Sequence, residues 1–500
     1  MNSILNRRGF IKGIGVGVVS IAIPGFVTGS GSAARKNNKQ PNIILIMSDD
    51  VSPDLYGCYG NKKVRTPNID EMAREGVMFR TCWASALCAP TRALIMTGRY
   101  GSRTGYYHNS LQIPQKDGSN ELLKYHHSFG KLLKQAGYAT AIAGKWHCSS
   151  SKPDSPDGGF DEYCLWESVQ EIKKLPGEPE FTGAWENKTD NTTTSRYWHP
   201  GIIRNHELLR TGPDDFGPDI FTDFICDFIE RKKDQPFLIY YPMVAPHGTR
   251  EGHTTTPLIG KMGEMSKASP EETRARFEAL NEYIDVLIGR IRRKVATLGL
   301  ADNTIFIYCS DNGTAVTAKS RGVERGCRVP FIVSGAGIKK RGSTDEITDF
   351  ADVLPTLVDF AAAGLPDGYQ IDGKSLKPFL TGRTDRHRDW IYSIIGTTQL
   401  VRNRRYLLES VNSLLGVPEG RLYDCSNNRD GRGYRKIIDP LEAVKVRKAF
   451  TEILRKYPVP NNDNPFFKTT RGKRFLGEYT QPVAVEKHLH NHRKYKFYEE

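Results

Sequence analysis

The sequence predicts an α/β fold, on three observations. Short apolar runs rich in β-branched residues recur along the chain, stretches with helical apolar spacing lie between them, and reactive polar residues follow the carboxyl ends of the runs. The first run, Asn42-Ile43-Ile44-Leu45-Ile46-Met47, reads as a buried strand and stops at Ser48-Asp49-Asp50. Thr66 then offers an N-cap and Pro67 suits the first helical position. Ile69, Met72 and Ala73 form one apolar face before Gly76 ends the helix. Val77-Met78-Phe79 resumes extended structure. A helix over Phe129 to Ala136, stopped by Gly137, leads into a strand over Tyr138 to Ala143, and Pro236 to Tyr241 is another buried strand. Ser269-Pro270-Glu271-Glu272 has capping-box chemistry. It opens a long helix whose stripe includes Phe277, Leu280, Ile284, Leu287, Ile291, Val295 and Leu298, ended by Gly299. Thr304 to Cys309 is the next strand.

At 500 residues the chain is long enough for a large core plus an appendage. Hydrophobic and charged fractions of 38% and 26% are those of a soluble globular protein, which excludes a polytopic membrane protein or a wholly disordered chain. The net charge is +14, and the first 34 residues contribute Arg7, Arg8 and Lys12 with no acid, so +11 remains beyond them. A positive field concentrates anionic substrates, although a solvated basic surface reads equally well. Nine cysteines are scattered without paired metal-finger spacing. The odd count flags one thiol with another task or, more commonly, free buried cysteines.

Asn6-Arg7-Arg8-Gly9-Phe10-Ile11-Lys12 precedes an apolar stretch from Ile14 to Ile23 and small residues at Ser32-Ala33-Ala34. That stretch is too short to span a bilayer. The paired arginines resemble a twin-arginine export signal over residues 1–34, so a periplasmic or secreted location is expected, with no stable membrane anchor. Asn187-Lys188-Thr189 and Asn191-Thr192-Thr193 fit glycan-acceptor patterns, but beside a bacterial-type leader they read as plain loop.

Open α/β sheets carry their chemistry just beyond the carboxyl ends of strands. Asp49 and Asp50 follow the first strand, Lys145 and His147 follow the strand ending near Gly144, His247 lies beyond Tyr241, and Asp311 and Asn312 follow Cys309. The Asp-Asp and Asp-Asn pairs offer hard oxygen ligands suited to Ca²⁺ or Mg²⁺. Either pair alone is also a common turn sequence. Each lysine or histidine alone reads as a surface charge or a structural histidine; only their joint appearance points to a site.

The segment Cys88-Ala89-Pro90-Thr91-Arg92, followed by Thr97-Gly98-Arg99, resembles the sulfatase signature, in which the cysteine is converted to formylglycine. The resemblance covers nearly all of the chain beyond the leader. It implies an alkaline phosphatase-like α/β fold with a large mixed, mainly parallel sheet sandwiched by helices over residues 38–374. It also implies a smaller subdomain, an antiparallel sheet with one helix, over 375–500. Asp49, Asp50, Asp311 and Asn312 match the family's metal ligands around Cys88. Arg92 matches the arginine that holds the modified residue, and Gly144-Lys145-Trp146-His147 and Ala245-Pro246-His247 match the family's lysine and histidines. Lys319 matches the second sulfate-binding lysine, with Arg321 close enough to compete and Glu324-Arg325-Gly326 replacing the usual Glu-Gly-Gly.

By this resemblance the chain is a sulfuric ester hydrolase with Ca²⁺, or Mg²⁺ in its place. Lys145 and Lys319 would bind sulfate oxygens, His247 would protonate the leaving oxygen, and His147 would take a proton as sulfate departs. The expected partners are a sulfated carbohydrate or aryl sulfate and a formylglycine-generating maturation enzyme; nucleic acid is not among them. Specificity is expected from Tyr100–Asn109 and 177–206, where Tyr106, Tyr107, His108, Trp185 and Trp198 are either contacts or packing residues. A phosphate or phosphonate ester hydrolase of the same superfamily and a non-catalytic polyanion-binding protein are the alternatives.

Overall fold

In the computed structural model, residues 40–149, 151–186, 192–249, 252–260, 269–315, 318–426 and 428–479 are described. The leader over 1–34, the Asn187-Lys188-Thr189 pattern and Asn191 lie outside them. Ten strands form the main sheet: β1 Asn42–Ser48, β2 Val77–Trp83, β3 Ala139–Gly144, β4 Glu162–Trp166, β5 Ile202–Arg204, β6 Glu207–Leu208, β7 Phe237–Pro242, β8 Thr304–Ser310, β9 Arg328–Gly335 and β10 Gly342–Asp349. Their order is β10-β2-β9-β8-β1-β7-β3-β4-β5-β6. β1 lies inside the sheet, parallel to β7 and β8, and β3 pairs in parallel with β7 and β4. β9 runs antiparallel between β8 and β2, which makes the sheet mixed.

The two-residue period of β1 sorts its side chains onto two faces. Ile43, Leu45 and Met47 enter one core with the helices Cys88–Thr97, Phe129–Gln135 and Val353–Phe360. Ile44 and Ile46 enter another with Pro67–Glu75, Gly217–Arg231 and Pro270–Thr297. A strand covered on both faces has no solvent side, which is why its sequence is continuously apolar. The capping box at Ser269 is formed: its hydroxyl accepts from Glu272 N at 3.1 Å, and its own N–H donates to Glu272 Oε2 at 2.7 Å. Thr66 does not cap its helix through its side chain. Its hydroxyl instead accepts from Gly57 N and donates to Asp70, while Asp285 from the long helix accepts from Asn68 N and Ile69 N.

Beyond residue 375, β11 Trp390–Ile395, β12 Thr398–Asn403, β13 Tyr406–Val411, β14 Arg421–Asp424 and β15 Arg435–Lys436 form an antiparallel sheet in sequence order. The helix Pro440–Lys456 packs Val446 and Phe450 on Val401, Leu408 and Leu422, and a further helix, Thr470–Tyr479, follows. Trp83 and Cys327 share a core with Ile391, Leu400 and Leu407, so the second sheet packs against the first. All nine cysteines are free. Among the described residues no helix is long and apolar enough to cross a membrane.

Candidate active site

Parallel pairing of β1 with β8 sets Ser48 beside Ser310, so the residues that follow both strands leave the sheet together. Asp49 N donates to Ala245 O at 3.0 Å, Asp311 N to Ser48 O at 3.0 Å, and Asp50 N to Asp311 Oδ1 at 3.0 Å. Asp50 turns through a left-handed conformation, φ 70°. At the end of β3, Gly144 has φ 111°, and a Cβ there would lie 2.1 Å from Pro242 O. Glycine alone lets the chain pass so close to β7. The turn delivers Lys145 Nζ to 2.6 Å from Asp49 Oδ2.

Cys88 is the first residue of Cys88–Thr97, a helix buried over its whole length. Its thiol lies 3.7 Å from Asp49 Oδ1, and Asn109 Oδ1 accepts from Ala89 N at 3.1 Å in the helix's first turn. One turn on, Arg92 is fully buried and spans the cluster. It donates to Lys145 O at 2.6 Å and Asp311 Oδ2 at 3.1 Å, and approaches Asp49 Oδ2 at 3.5 Å. Lys319 Nζ reaches Asp50 Oδ1 at 2.6 Å. His247 Nδ1 meets Gly248 O at 2.6 Å, a contact in which the ring nitrogen must donate, so Nε2 is the atom turned to Asp50 Oδ2 at 3.6 Å. His147, at φ 43°, stands exposed in the cleft wall, and its ring has no hydrogen-bond partner among the described residues.

Three buried carboxylates thus face three cations, Arg92, Lys145 and Lys319. Burial raises the Asp49 carboxyl, but Lys145, His247 and Arg92 outweigh it and hold the group well below its ordinary value. Asp50 goes the other way: burial, opposed by Lys319 and reinforced by Asp49 and Asp311, lifts it to about 7. Burial, then the neighbouring Asp311, pushes the Cys88 thiol upward, so an unmodified Cys88 is a protonated thiol and a poor nucleophile. Burial also lowers His247.

Ligand atoms of Asp49, Asp50, Cys88 and His247 lie within 4.8 Å of one another. Asn312 Nδ2 donates to Asp50 Oδ1 at 2.7 Å, while Asn312 Oδ1 is buried with no hydrogen-bond partner. An orphaned carbonyl oxygen among carboxylates fits a hard divalent cation. Asp49, Asp50, Cys88, Arg92, Lys145, His247, Asp311, Asn312 and Lys319 are therefore linked in one cluster, with His147 in the wall of the cleft beside it, and His247 comes within metal-ligand reach as well.

A cleft of about 490 Å³ opens from Lys145, His147 and His247. A larger cavity of about 550 Å³, lined by Lys62, Lys63 and Arg432 among others, contains none of these residues. Of the two readings of the loop residues, packing is the one seen, and none of them lines this cleft: Trp185 packs on Phe181, Trp198 on Phe216 and His108 on Phe475, and Tyr106 and Tyr107 are buried. Trp146, Trp166, Lys152 and Arg196 line it instead. Trp166 ends β4, the parallel neighbour of β3, so the strand-end rule would have found it had that short strand been read.

Residues 41–363 match the family model described as Sulfatase. The chain is 25% identical to an N-acetylglucosamine-6-O-sulfatase of Bacteroides thetaiotaomicron, covering 86% of this chain and 88% of that one. It is 29% identical to the N-acetylgalactosamine-6-sulfatase of Homo sapiens, covering 70% and 67%. Among solved structures, Ps i-CgsB in complex with k-i-k-neocarrahexaose superposes with a TM-score of 0.68 at 21% identity, covering 91% of this chain and 100% of that one. The phosphonate monoester hydrolase SpPMH from Silicibacter pomeroyi gives 0.59 at 18% identity, covering 83% and 95%.

Proposed function

The chain belongs to the sulfatase family and is a sulfuric ester hydrolase, and from that premise we propose that it removes sulfate from a sulfated polysaccharide or its oligosaccharides, using formylglycine made from Cys88. One observation carries the nucleophile assignment. Cys88 opens a fully buried helix with its Sγ 3.7 Å from Asp49, beside the three cations of the site. Relatives named for sulfated amino sugars support the saccharide reading.

Asp49, Asp50, Asp311 and Asn312 would hold Ca²⁺ or Mg²⁺; a bound ion supplies the positive charge that lowers the pKa of a hydroxyl on residue 88. The hydrated aldehyde carries two hydroxyls on one carbon, one to accept the sulfuryl group and one to let it go.

The remaining work falls to the chain's own side chains. Arg92, tied to Lys145 O and Asp311, fixes the helix turn that presents position 88. Lys145 and Lys319 neutralise the sulfate oxygens, which makes approach of an oxygen nucleophile to an anionic ester feasible. With His247 Nδ1 committed to Gly248 O, Nε2 is the atom that would give a proton to the leaving oxygen, and a bound anion favours the protonated ring. His147, exposed in the cleft wall, would take the proton of the second hydroxyl.

We also propose export through the Arg7-Arg8 leader to the periplasm or beyond, with maturation of Cys88 by a formylglycine-generating enzyme. The test of the reaction class is turnover of 4-nitrophenyl sulfate against 4-nitrophenyl phosphate and a phenylphosphonate monoester, by protein co-produced with such an enzyme. Sulfate turnover should dominate and vanish in Cys88→Ser. Dominant phosphate or phosphonate turnover would overturn the assignment.

A further inference from the structure

Arg196 stands where the cleft wall meets the catalytic cluster, sharing the cleft with His247 and Lys145. Its side chain is 6% exposed. The guanidinium lies 4.1 Å over the Trp166 ring, and Nε and Nη2 both donate to Glu186. A planar group clamped by two hydrogen bonds and an aromatic face cannot turn to find other partners. Nη1 is left over, buried and without a hydrogen-bond partner.

A buried charged donor without an acceptor is costly, so the missing acceptor is informative. The nearby acids are committed elsewhere: Asp49 to Lys145 and Arg92, Glu167 to Lys152, and Glu171 to Lys152 and Lys174. No side chain among the described residues supplies that acceptor, and an anionic group of a ligand in the cleft can. The strongest match to a guanidinium N–H is an oxygen of a carboxylate or a sulfate. Trp166, with the Arg196 guanidinium over its ring, and the buried Trp146 line the same cleft, so Arg196 is held at its wall.

We propose that Arg196 is a specificity-determining residue on the leaving-group side of the site, where Nη1 binds a second anionic group, carboxylate or sulfate, of the saccharide being desulfated. This rests on the sulfatase reading above and names the feature by which the enzyme selects among sulfated sugars.

The test uses full-length protein matured at Cys88 and paired saccharide probes. Glucosamine and galactosamine monosulfates are each compared with a counterpart bearing a second sulfate or a neighbouring uronate, and 4-nitrophenyl sulfate normalises each variant. Wild type should prefer a doubly anionic probe, and Arg196→Ala should reduce the ratio of kcat/KM for that probe to kcat/KM for 4-nitrophenyl sulfate by about 10- to 100-fold, mainly through KM. The probe whose preference collapses distinguishes sulfate from carboxylate. Arg196→Lys, which keeps the charge but loses the planar fork, serves if the alanine variant does not fold, and should lower the same ratio. A wild-type enzyme with no preference, or a ratio unchanged in the variants, overturns the role of Arg196 while leaving the sulfatase reading intact. No turnover of any sulfate ester by matured wild type overturns that reading instead.

Discussion

Lys319 Nζ lies 2.6 Å from Asp50 Oδ1, which ties Lys319 to the buried carboxylates. Arg321, two residues on, is the competing cation in the sequence. Lys319→Ala should lower kcat/KM on 4-nitrophenyl sulfate by about 10²- to 10³-fold, the size of effect typical for a preorganised charge contact, whereas Arg321→Ala should cost far less. Steady-state kinetics on the two variants decides between them; the reverse order would reassign the second sulfate-binding cation.

The buried, unpartnered Asn312 Oδ1 beside three carboxylates predicts a metal requirement. Chelation should abolish turnover and lower the melting temperature, and Ca²⁺ or Mg²⁺ should restore both, because an ion bound to the folded state stabilises it by mass action. Asn312→Ala should raise the metal concentration for half-restoration by about tenfold or more. Full activity after exhaustive chelation would contradict the ligand assignment.

His247 and His147 should separate by leaving group. If His247 Nε2 delivers a proton to the departing oxygen, His247→Ala should harm saccharide sulfates, whose alkoxide leaves poorly, about 10²- to 10⁴-fold, and 4-nitrophenyl sulfate much less. His147→Ala should instead leave a burst followed by a stalled enzyme, since release is the step that fails. Equal losses for both variants on both substrates would contradict the division of roles.

Asp352 binds Arg388 at 2.5 Å and His387 at 2.8 Å, tying the stretch before the second sheet to the main domain. Burial would raise Asp352, but Arg388 and His387 hold it below its ordinary value. A carboxyl depressed in the folded state contributes stability above its unfolded pKa of about 4 and loses it as pH falls further. Asp349, lifted to about 6 by burial against the pull of Arg388, has the opposite sign and grows unfavourable as pH rises from about 4 to 6. Asp352→Asn should therefore cost about 3–5 kcal/mol at neutral pH, with the gap to wild type closing below about pH 4. Denaturant melts at several pH values measure it.

Much of the site was legible because its geometry follows from strand ends. A run such as Ile43 to Met47, short, β-branched and stopped by Ser48-Asp49-Asp50, reads as a strand buried on both faces, and the two polar pairs that stop β1 and β8 meet because those strands are parallel neighbours. The Cys-x-Pro-x-Arg spacing likewise sets Cys88 and Arg92 one helical turn apart on a common face. What escaped was set by contacts distant in sequence. Thr66 carries the composition of a cap, yet Asp285 from another helix takes the cap role. Arg325, the departure from Glu-Gly-Gly, pairs with Asp54, and Glu324 turns inward to Trp83, Arg402 and Tyr434. Arg196 and Trp166 meet across the irregular segment between β4 and β5, where no periodicity marks which side chains face the cleft.

Peptide mass spectrometry of the fragment containing Cys88, from protein made beside a formylglycine-generating enzyme, tests the central claim most directly. The aldehyde should appear as a mass about 18 Da below that of the cysteine peptide, and its fraction should track specific activity across preparations. A fully active enzyme whose residue 88 is entirely unmodified thiol would contradict the account.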